Sequence, residues 1–468
     1  MTRPSSGAHR LQPPDSPLGV ETGSSRRQNP GDQTFRRTVA IQTQGCKLNQ
    51  ADSDQLARHF TEAGFTMVDL AGGADVIVVN TCTVTAAADA KARQALRSAR
   101  RANPNALVVA TGCYPQRAAK ELELLEAVDL VAGNTQKEAL AALVTAALDG
   151  RAPTVSLPET DAGAASIRVT RPPARERVRA MVKIQEGCDQ VCAYCIVPKV
   201  RGRERSIHPD ALVEQINLRV NQGCQEVVLT GTQLGTYGFD LTGINLVGLI
   251  RRLLADTGVP RLRVSSLQPQ EITGELLDLW QDQRLCPHFH IPLQSGSDPV
   301  LAAMRRRYTT AQFAGAVELV RRAIPGAGVT ADVIVGFPGE GDNEFRDSLS
   351  FAQAMQFSDM HVFPYSRRPG TSAVYLGGQV AEQAKKDRSA QMIAMASDGF
   401  SDFRSSQLGL TRRILWETQR QRDGALIWSG LTDNYIRVYT NNPGKLANTI
   451  TQAQLVELDG DQVAARVV

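Results

Sequence analysis

Three cysteines fall within eight residues, Cys188, Cys192 and Cys195, in the run Gly187-Cys-Asp-Gln-Val-Cys-Ala-Tyr-Cys195. Thiolates at that spacing can grip one face of a cubane iron–sulfur cluster, and no fourth cysteine lies nearby to complete the set. The competing reading is a zinc knuckle. Zinc usually closes with four ligands in C-x2-4-C pairs, and neither a matching pair nor a His-x3-5-His follows. A cluster held by three cysteines keeps one iron without a protein ligand. The amine and carboxylate of S-adenosylmethionine (SAM) can chelate that iron before reductive cleavage, a chemistry that belongs to the cofactor and that the protein positions.

At 468 residues the chain exceeds a single core and divides into two or three domains. No apolar stretch reaches spanning length, so no membrane association is expected and the expected compartment is the cytoplasm. Residues 1–36 are rich in Pro, Gly, Ser, Arg and Gln and read as a disordered extension without the apolar core of a secretory signal. A net charge of +4 says little by itself about nucleic acid. Eight cysteines in a chain of this length favour metal or catalysis over disulfides.

Residues 37–150 alternate strand and helix: strands at 39–43, 75–80, 106–111 and near 128–131, helices at 52–64, 86–101, 115–127 and 135–148. The pattern predicts a doubly wound parallel sheet. Cys46, Cys82 and Cys113 each follow a strand, where open α/β sheets gather ligands, so three residues far apart in sequence should converge. The plainer reading is three buried packing thiols. After a linker at 151–176, residues 177–375 offer six strands (178–184, 226–230, 262–266, 288–292, 329–335, 360–364) separated by helices at 209–221, 246–256, 272–281, 310–323 and 343–356. This predicts an open (β/α)6 partial barrel with its working residues at the strand C-terminal ends. Those ends are polar or Gly-rich at Gly231, Ser265, Gln294-Ser295 and Gly336, which permits close approach to an enclosed ligand. Cys224 and Cys286 read as packing thiols, and His288, His290 and His361 as core histidines without metal-site spacing. Arg305, Arg306 and Arg307 read equally as phosphate contacts or a solvated helix end. A helical connector, 376–408, leads to five short strands in 409–468, a small OB-like barrel.

Cys188-Asp-Gln-Val-Cys192-Ala-Tyr-Cys195-Ile-Val-Pro198 followed by Arg201-Gly-Arg203 resembles the radical SAM signature of the methylthiotransferases. Gly45-Cys46-Lys-Leu-Asn-Gln50, Asn80-Thr-Cys82-Thr-Val84 and Thr111-Gly-Cys113-Tyr-Pro115 resemble the three motifs of that family's N-terminal domain. The likeness runs from about residue 37 to the C-terminus. It implies two [4Fe–4S] clusters, one on Cys188, Cys192 and Cys195 and an auxiliary one on Cys46, Cys82 and Cys113. It also implies SAM bound by the strand-end segments with Tyr194 near the adenine, and a C-terminal TRAM domain of the kind that contacts RNA, for which Arg412, Arg413, Arg420 and Arg422 form a plausible patch. The implied reaction replaces a C–H by C–S–CH3: one SAM methylates sulfur, and a second yields the 5′-deoxyadenosyl radical that abstracts hydrogen.

Within the family, Gly45–Gln50, Cys195–Pro198 and Leu229-Thr-Gly-Thr-Gln-Leu-Gly235 look most like the branch acting on N6-threonylcarbamoyladenosine in tRNA. The isopentenyladenosine branch tends to Gln-Met-Asn after the first cysteine, where this chain has Lys47-Leu48-Asn49. The expected partners are the tRNA anticodon stem-loop, an electron donor such as flavodoxin or ferredoxin, and a sulfur donor. The alternatives are the isopentenyladenosine branch, the branch acting on an aspartate of a ribosomal protein, and a non-catalytic iron–sulfur RNA-binding module.

Overall fold

The computed structural model describes residues 36–151, 178–422 and 424–468. The proposed extension at 1–36 and linker at 151–176 lie, but for Arg36 and Arg151, outside the described residues.

The N-terminal sheet is all-parallel, with strand order Thr66–Met67, Thr38–Thr43, Val76–Thr81, Leu107–Gly112, Leu130–Gly133. Val76–Thr81 is buried along its whole length, its apolar run Val76–Val79 being that of a central parallel strand. Helices cover both faces. Ala92, Leu96 and Ala99 of Ala86–Ala102 pack with Ile77 and Val108 on one side, while Leu56 and Phe60 of Lys47–Glu62 meet Val76 and Val144 on the other. Thr85 caps Ala86–Ala102 by accepting from the Ala88 amide at 3.1 Å, and Arg100 and Arg101 occupy its last turn, where cations complement the dipole. The helix expected at 135–148 starts late, at Leu140, after a 3₁₀ turn at Asn134–Gln136. The two-residue edge strand at Thr66–Met67 is too short to leave a sequence pattern.

The second unit runs as expected through six parallel strands in chain order: Arg179–Lys183, Glu226–Thr230, Leu262–Val264, His288–His290, Gly328–Val335 and Asp359–Pro364. Single bridges, Leu262 to Leu285 and Ser266 to His290, join its two three-stranded sheets. Among the described residues no ladder joins the first strand to the last, so the barrel is open on one side. Side chains alternate across each strand. Ala180, Val182, Val227, Leu229, Leu262, Val264, Phe289, Val329 and Val333 form the apolar core beneath the helices, which leaves the interleaved residues facing the lumen. The helix expected at 272–281 starts at Gly274, where the Thr273 hydroxyl caps it by accepting from the Leu276 amide, and passes after Leu277 into a 3₁₀ turn at Asp278–Gln281.

Glu382–Ser406 is the connecting helix, and the C-terminal strands close a five-stranded barrel in the order Thr411–Arg422, Ala425–Thr432, Arg437–Thr440, Gln462–Val467, Thr449–Asp459. It docks on the strand N-terminal ends of the open barrel: Arg261 donates to the carbonyls of Leu431 and Thr432, and Arg263 to that of Asp433. Among the described residues no helix is long and apolar enough to cross a membrane.

Candidate active site between two cysteine triads

The N-terminal sheet reverses direction of growth between Thr38–Thr43 and Val76–Thr81, and ligands of open α/β sheets gather at such a point. Cys46 precedes the helix Lys47–Glu62, Cys82 directly follows Thr81, and Cys113 opens the helix Cys113–Glu123. The three are near enough that Cys46 and Cys113 both raise the Cys82 thiol, after burial, to about 11. Gly112 adopts φ +104°, and a Cβ there would lie 2.5 Å from the Thr81 carbonyl oxygen, so only glycine lets the strands close up at Cys113.

The second triad sits after the first barrel strand. Its loop is stapled by an antiparallel pair, Gln185–Glu186 with Arg205–Ser206, and by the Cys188 amide donating to the Gly202 carbonyl at 3.1 Å. Gly187 at φ +80° would drive a Cβ to 1.8 Å from the Arg203 carbonyl oxygen. Burial pushes Cys188 up to about 11 and Cys195 up to about 12, with neighbouring thiols adding to the shift at each. Thiolates so crowded and desolvated need a cationic partner, and an iron cluster provides one. Both donor sets fit that role. They also adjoin each other: Cys113 packs against Ile196 and Val200, the residues just past Cys195, and Asn134 donates to the Val200 carbonyl at 2.6 Å.

The remaining expected site residues occupy varied settings. Tyr194 is half-buried edge-on against Phe337, with ring centroids 6.4 Å apart. Gly231 lies so close to Gln185 that a Cβ would meet its carbonyl oxygen at 2.9 Å, while the Gln185 side chain accepts from the Thr232 and Gln233 amides. The buried Ser265 hydroxyl has no partner among the described residues. Gln294 adopts φ +65°, Ser295 bonds Ser348 of the outer helix at 2.9 Å, and the Gly336 amide donates to Glu340. Cys224 and Cys286 are buried away from both triads, Cys224 donating to the Glu226 carbonyl at 3.2 Å.

Several residues that pattern reading left aside now stand out. Arg306 is no solvated helix end: its guanidinium donates to Cys192 Sγ at 3.3 Å and also engages Gln268. Burial pushes Glu271, beside Gln233, up to about 7. Asp52 receives Lys137 at 2.6 Å, Lys183 at 2.9 Å and Arg201 at 2.6 Å. Burial alone would raise its carboxyl, yet the three cations hold it well below the usual carboxylate range. Arg201 also pairs with Glu186 at 2.7 Å. On the other edge of the open barrel, Arg368 pairs with Asp89 and Thr83, next to Cys82. The N-terminal domain thus spans both edges of the opening. The histidines correct an expectation as well: His290, Asp332 and His361 lie on neighbouring strands with ligand-capable atoms within 4.8 Å of one another, although their sequence spacing gives no sign of it.

Comparison with known proteins follows this division. Residues 38–133 match the uncharacterized protein family UPF0004, and residues 182–352 the radical SAM superfamily. The threonylcarbamoyladenosine tRNA methylthiotransferase MtaB of Bacillus subtilis (strain 168) is 36% identical over 90% of this chain and 94% of its own. Its namesake in Aquifex aeolicus (strain VF5) is 38% identical over 86% and 96%. The tRNA-2-methylthio-N(6)-dimethylallyladenosine synthase of Pelotomaculum thermopropionicum is 32% identical over 89% and 95%. Among solved structures, the radical SAM methyltransferase TsrM of Kitasatospora setae, with cobalamin and a [4Fe–4S] cluster bound, aligns with a TM-score of 0.53 at 19% identity over 72% of this chain and 77% of that one, a likeness of fold.

Proposed function

The chain belongs to the radical SAM methylthiotransferases, and on that premise we propose that it converts N6-threonylcarbamoyladenosine at position 37 of tRNA, next to the anticodon, to its 2-methylthio derivative. The observation that carries the reading is the meeting of two cysteine triads across one interface, Cys113 lying against the helix that follows Cys195. Cys188, Cys192 and Cys195 would hold one [4Fe–4S] cluster and Cys46, Cys82 and Cys113 a second, each leaving one iron without a protein ligand. When bound, the clusters and SAM supply radical hydrogen abstraction and the sulfur that replaces the hydrogen. The protein's own groups prepare the place. Arg306 sets a guanidinium beside Cys192, and Tyr194, in the same segment as Cys192, packs edge to face on Phe337. The unpartnered Ser265 hydroxyl, with the backbone at Gly231, Gln294, Ser295 and Gly336, offers the SAM contacts.

The domain division that goes with this is 37–150 for the auxiliary cluster, 177–375 for radical SAM chemistry, 376–408 as connector and 409–468 as a TRAM-like barrel facing the anticodon stem-loop. A cytoplasmic setting with a flavodoxin- or ferredoxin-type electron donor and a separate sulfur donor completes the picture.

The test has two arms. Anaerobic reconstitution should give about eight irons in the wild type and about four after Cys46→Ala/Cys82→Ala/Cys113→Ala, the counts for two [4Fe–4S] clusters and one. Nucleoside analysis of tRNA from a strain lacking the gene should show the methylthio mark lost from threonylcarbamoyladenosine and kept on isopentenyladenosine. Four irons in both proteins would remove the second cluster. Loss of the isopentenyl mark, or of a methylthio group on a ribosomal-protein aspartate, would reassign the substrate. Failure of the reconstituted protein to cleave SAM would leave a binding module.

A further inference from the structure

The lumen of the open barrel is polar, and one of its charges comes from another domain. Lys47, one residue beyond Cys46, begins the helix Lys47–Glu62 that packs along Arg179–Lys183. Its ammonium lies 5.9 Å from the ring centroid of Tyr435, a residue of the C-terminal barrel that stacks on lumen-facing His288 at 4.3 Å. Glu226, an acid whose charge is felt at Lys47, is already engaged by both Arg261 and Arg263. Among the described residues no carboxylate pairs with Lys47. A half-buried ammonium, one residue from Cys46 in the chain, therefore stands without a carboxylate partner among the described residues. Such an arrangement is costly unless a ligand brings the anion. On the last barrel strand, His361 Nδ1 bonds Asp332 at 3.1 Å, a carboxylate that also fixes His290 at 3.2 Å; this orients the His361 ring, which in its protonated form offers Nε2–H as a second donor.

The two tRNA substrates of this family differ in the chemistry such a place would meet. A dimethylallyl arm is hydrocarbon throughout, whereas a threonylcarbamoyl arm ends in a carboxylate and a hydroxyl. We propose that Lys47 is a specificity-determining residue that receives the free carboxylate of the threonylcarbamoyl arm, with His361 as the neighbouring donor. The proposal rests on the substrate reading above. It turns the difference between Lys47 and the Gln found there in the isopentenyladenosine branch into a physical one: a charged ammonium repays the desolvation of a carboxylate, which a neutral side chain does not.

The experiment uses the reconstituted full-length protein and two anticodon stem-loop RNAs. One carries threonylcarbamoyladenosine at position 37; the other has the threonyl carboxylate replaced by the carboxamide. Wild type should favour the acid at least tenfold in kcat/KM, about 1.4 kcal/mol. Lys47→Met should treat acid and amide within about twofold of each other, and Lys47→Arg should keep most of the preference. Should Lys47→Met load less iron, fluorescence anisotropy of the labelled RNAs gives the same acid-to-amide ratio as binding, without turnover. Equal use of both RNAs by wild type, or an undiminished preference in Lys47→Met, overturns the proposal. Turnover of neither RNA by wild type refutes the substrate reading itself.

Discussion

Replacing Asp52 by asparagine keeps the shape of the side chain and removes the negative charge that Lys137, Lys183 and Arg201 share. The carboxylate is 1% exposed and the Arg201 side chain 2%, so water cannot take over. At an effective dielectric near 20, each cation about 4 Å from the carboxylate is worth about 4 kcal/mol before desolvation is subtracted. Desolvation of the acid offsets much of the sum, and Glu186 still serves Lys183 and Arg201. Breaking a buried pair from one side costs about 3–5 kcal/mol, against 0–1 for an exposed pair. Because Asp52 belongs to the N-terminal domain and Lys183 and Arg201 to the barrel, the cost falls on the contact between the two. The assay is urea unfolding of the metal-free protein, followed by circular dichroism and by tryptophan fluorescence. All three tryptophans, Trp280, Trp416 and Trp428, lie outside the N-terminal domain. With a urea slope of about 2 kcal/mol/M, a loss of 3–5 kcal/mol moves the midpoint down by about 2 M. The dichroism transition should also part from the fluorescence one, as the N-terminal domain unfolds ahead of the rest. Coincident transitions with a midpoint shift below about 0.5 M would mean the network is worth no more than a surface pair, and the reasoning would fail.

Other perturbations read other parts of the machine. Gly112→Ala adds a Cβ 2.5 Å from the Thr81 carbonyl oxygen at a backbone angle that itself costs about 1–3 kcal/mol, so iron should fall from about eight to about four per chain. Arg306→Gln removes a cation 3.3 Å from Cys192 Sγ; losing about 1.4 kcal/mol of preference for the reduced state lowers the potential of that cluster by about 60 mV, measurable by redox titration under electron paramagnetic resonance. Arg261→Ala leaves Glu226 half-compensated and frees the carbonyls of Leu431 and Thr432, so the fluorescence of Trp416 and Trp428 should report the C-terminal barrel loosening, at a cost of about 3–5 kcal/mol. The hydrogen bond to Asp332 holds His361 above its ordinary value near 6.5; that stabilisation is complete below the ordinary value and is lost as pH rises through the folded one. A proton-NMR titration of Asp332→Asn should find the His361 midpoint lowered, and an unchanged midpoint would refute the pairing.

Sequence alone determined what depends on local rules. Alternation of apolar runs with capped, amphipathic stretches set the parallel sheet, the six barrel strands and their helices, with Pro209–Asn221, Leu246–Asp256 and Thr310–Ala323 falling where the periodicity puts them. Strand ends placed the cysteines, because a chain leaving a parallel strand emerges at the edge where ligands gather. Tertiary structure decided everything that joins residues far apart in the chain. Asp52 reads as an ordinary helix acid until Lys137, Lys183 and Arg201 surround it, and Arg306 reads as one of three arginines until the loop after Asp298–Ala303 brings it to Cys192. Lys47 and Tyr435 are separated by most of the protein, yet share one lumen. Burial and charge pairing are properties of the space between elements, and no local pattern encodes which cation will find which sulfur or carboxylate there.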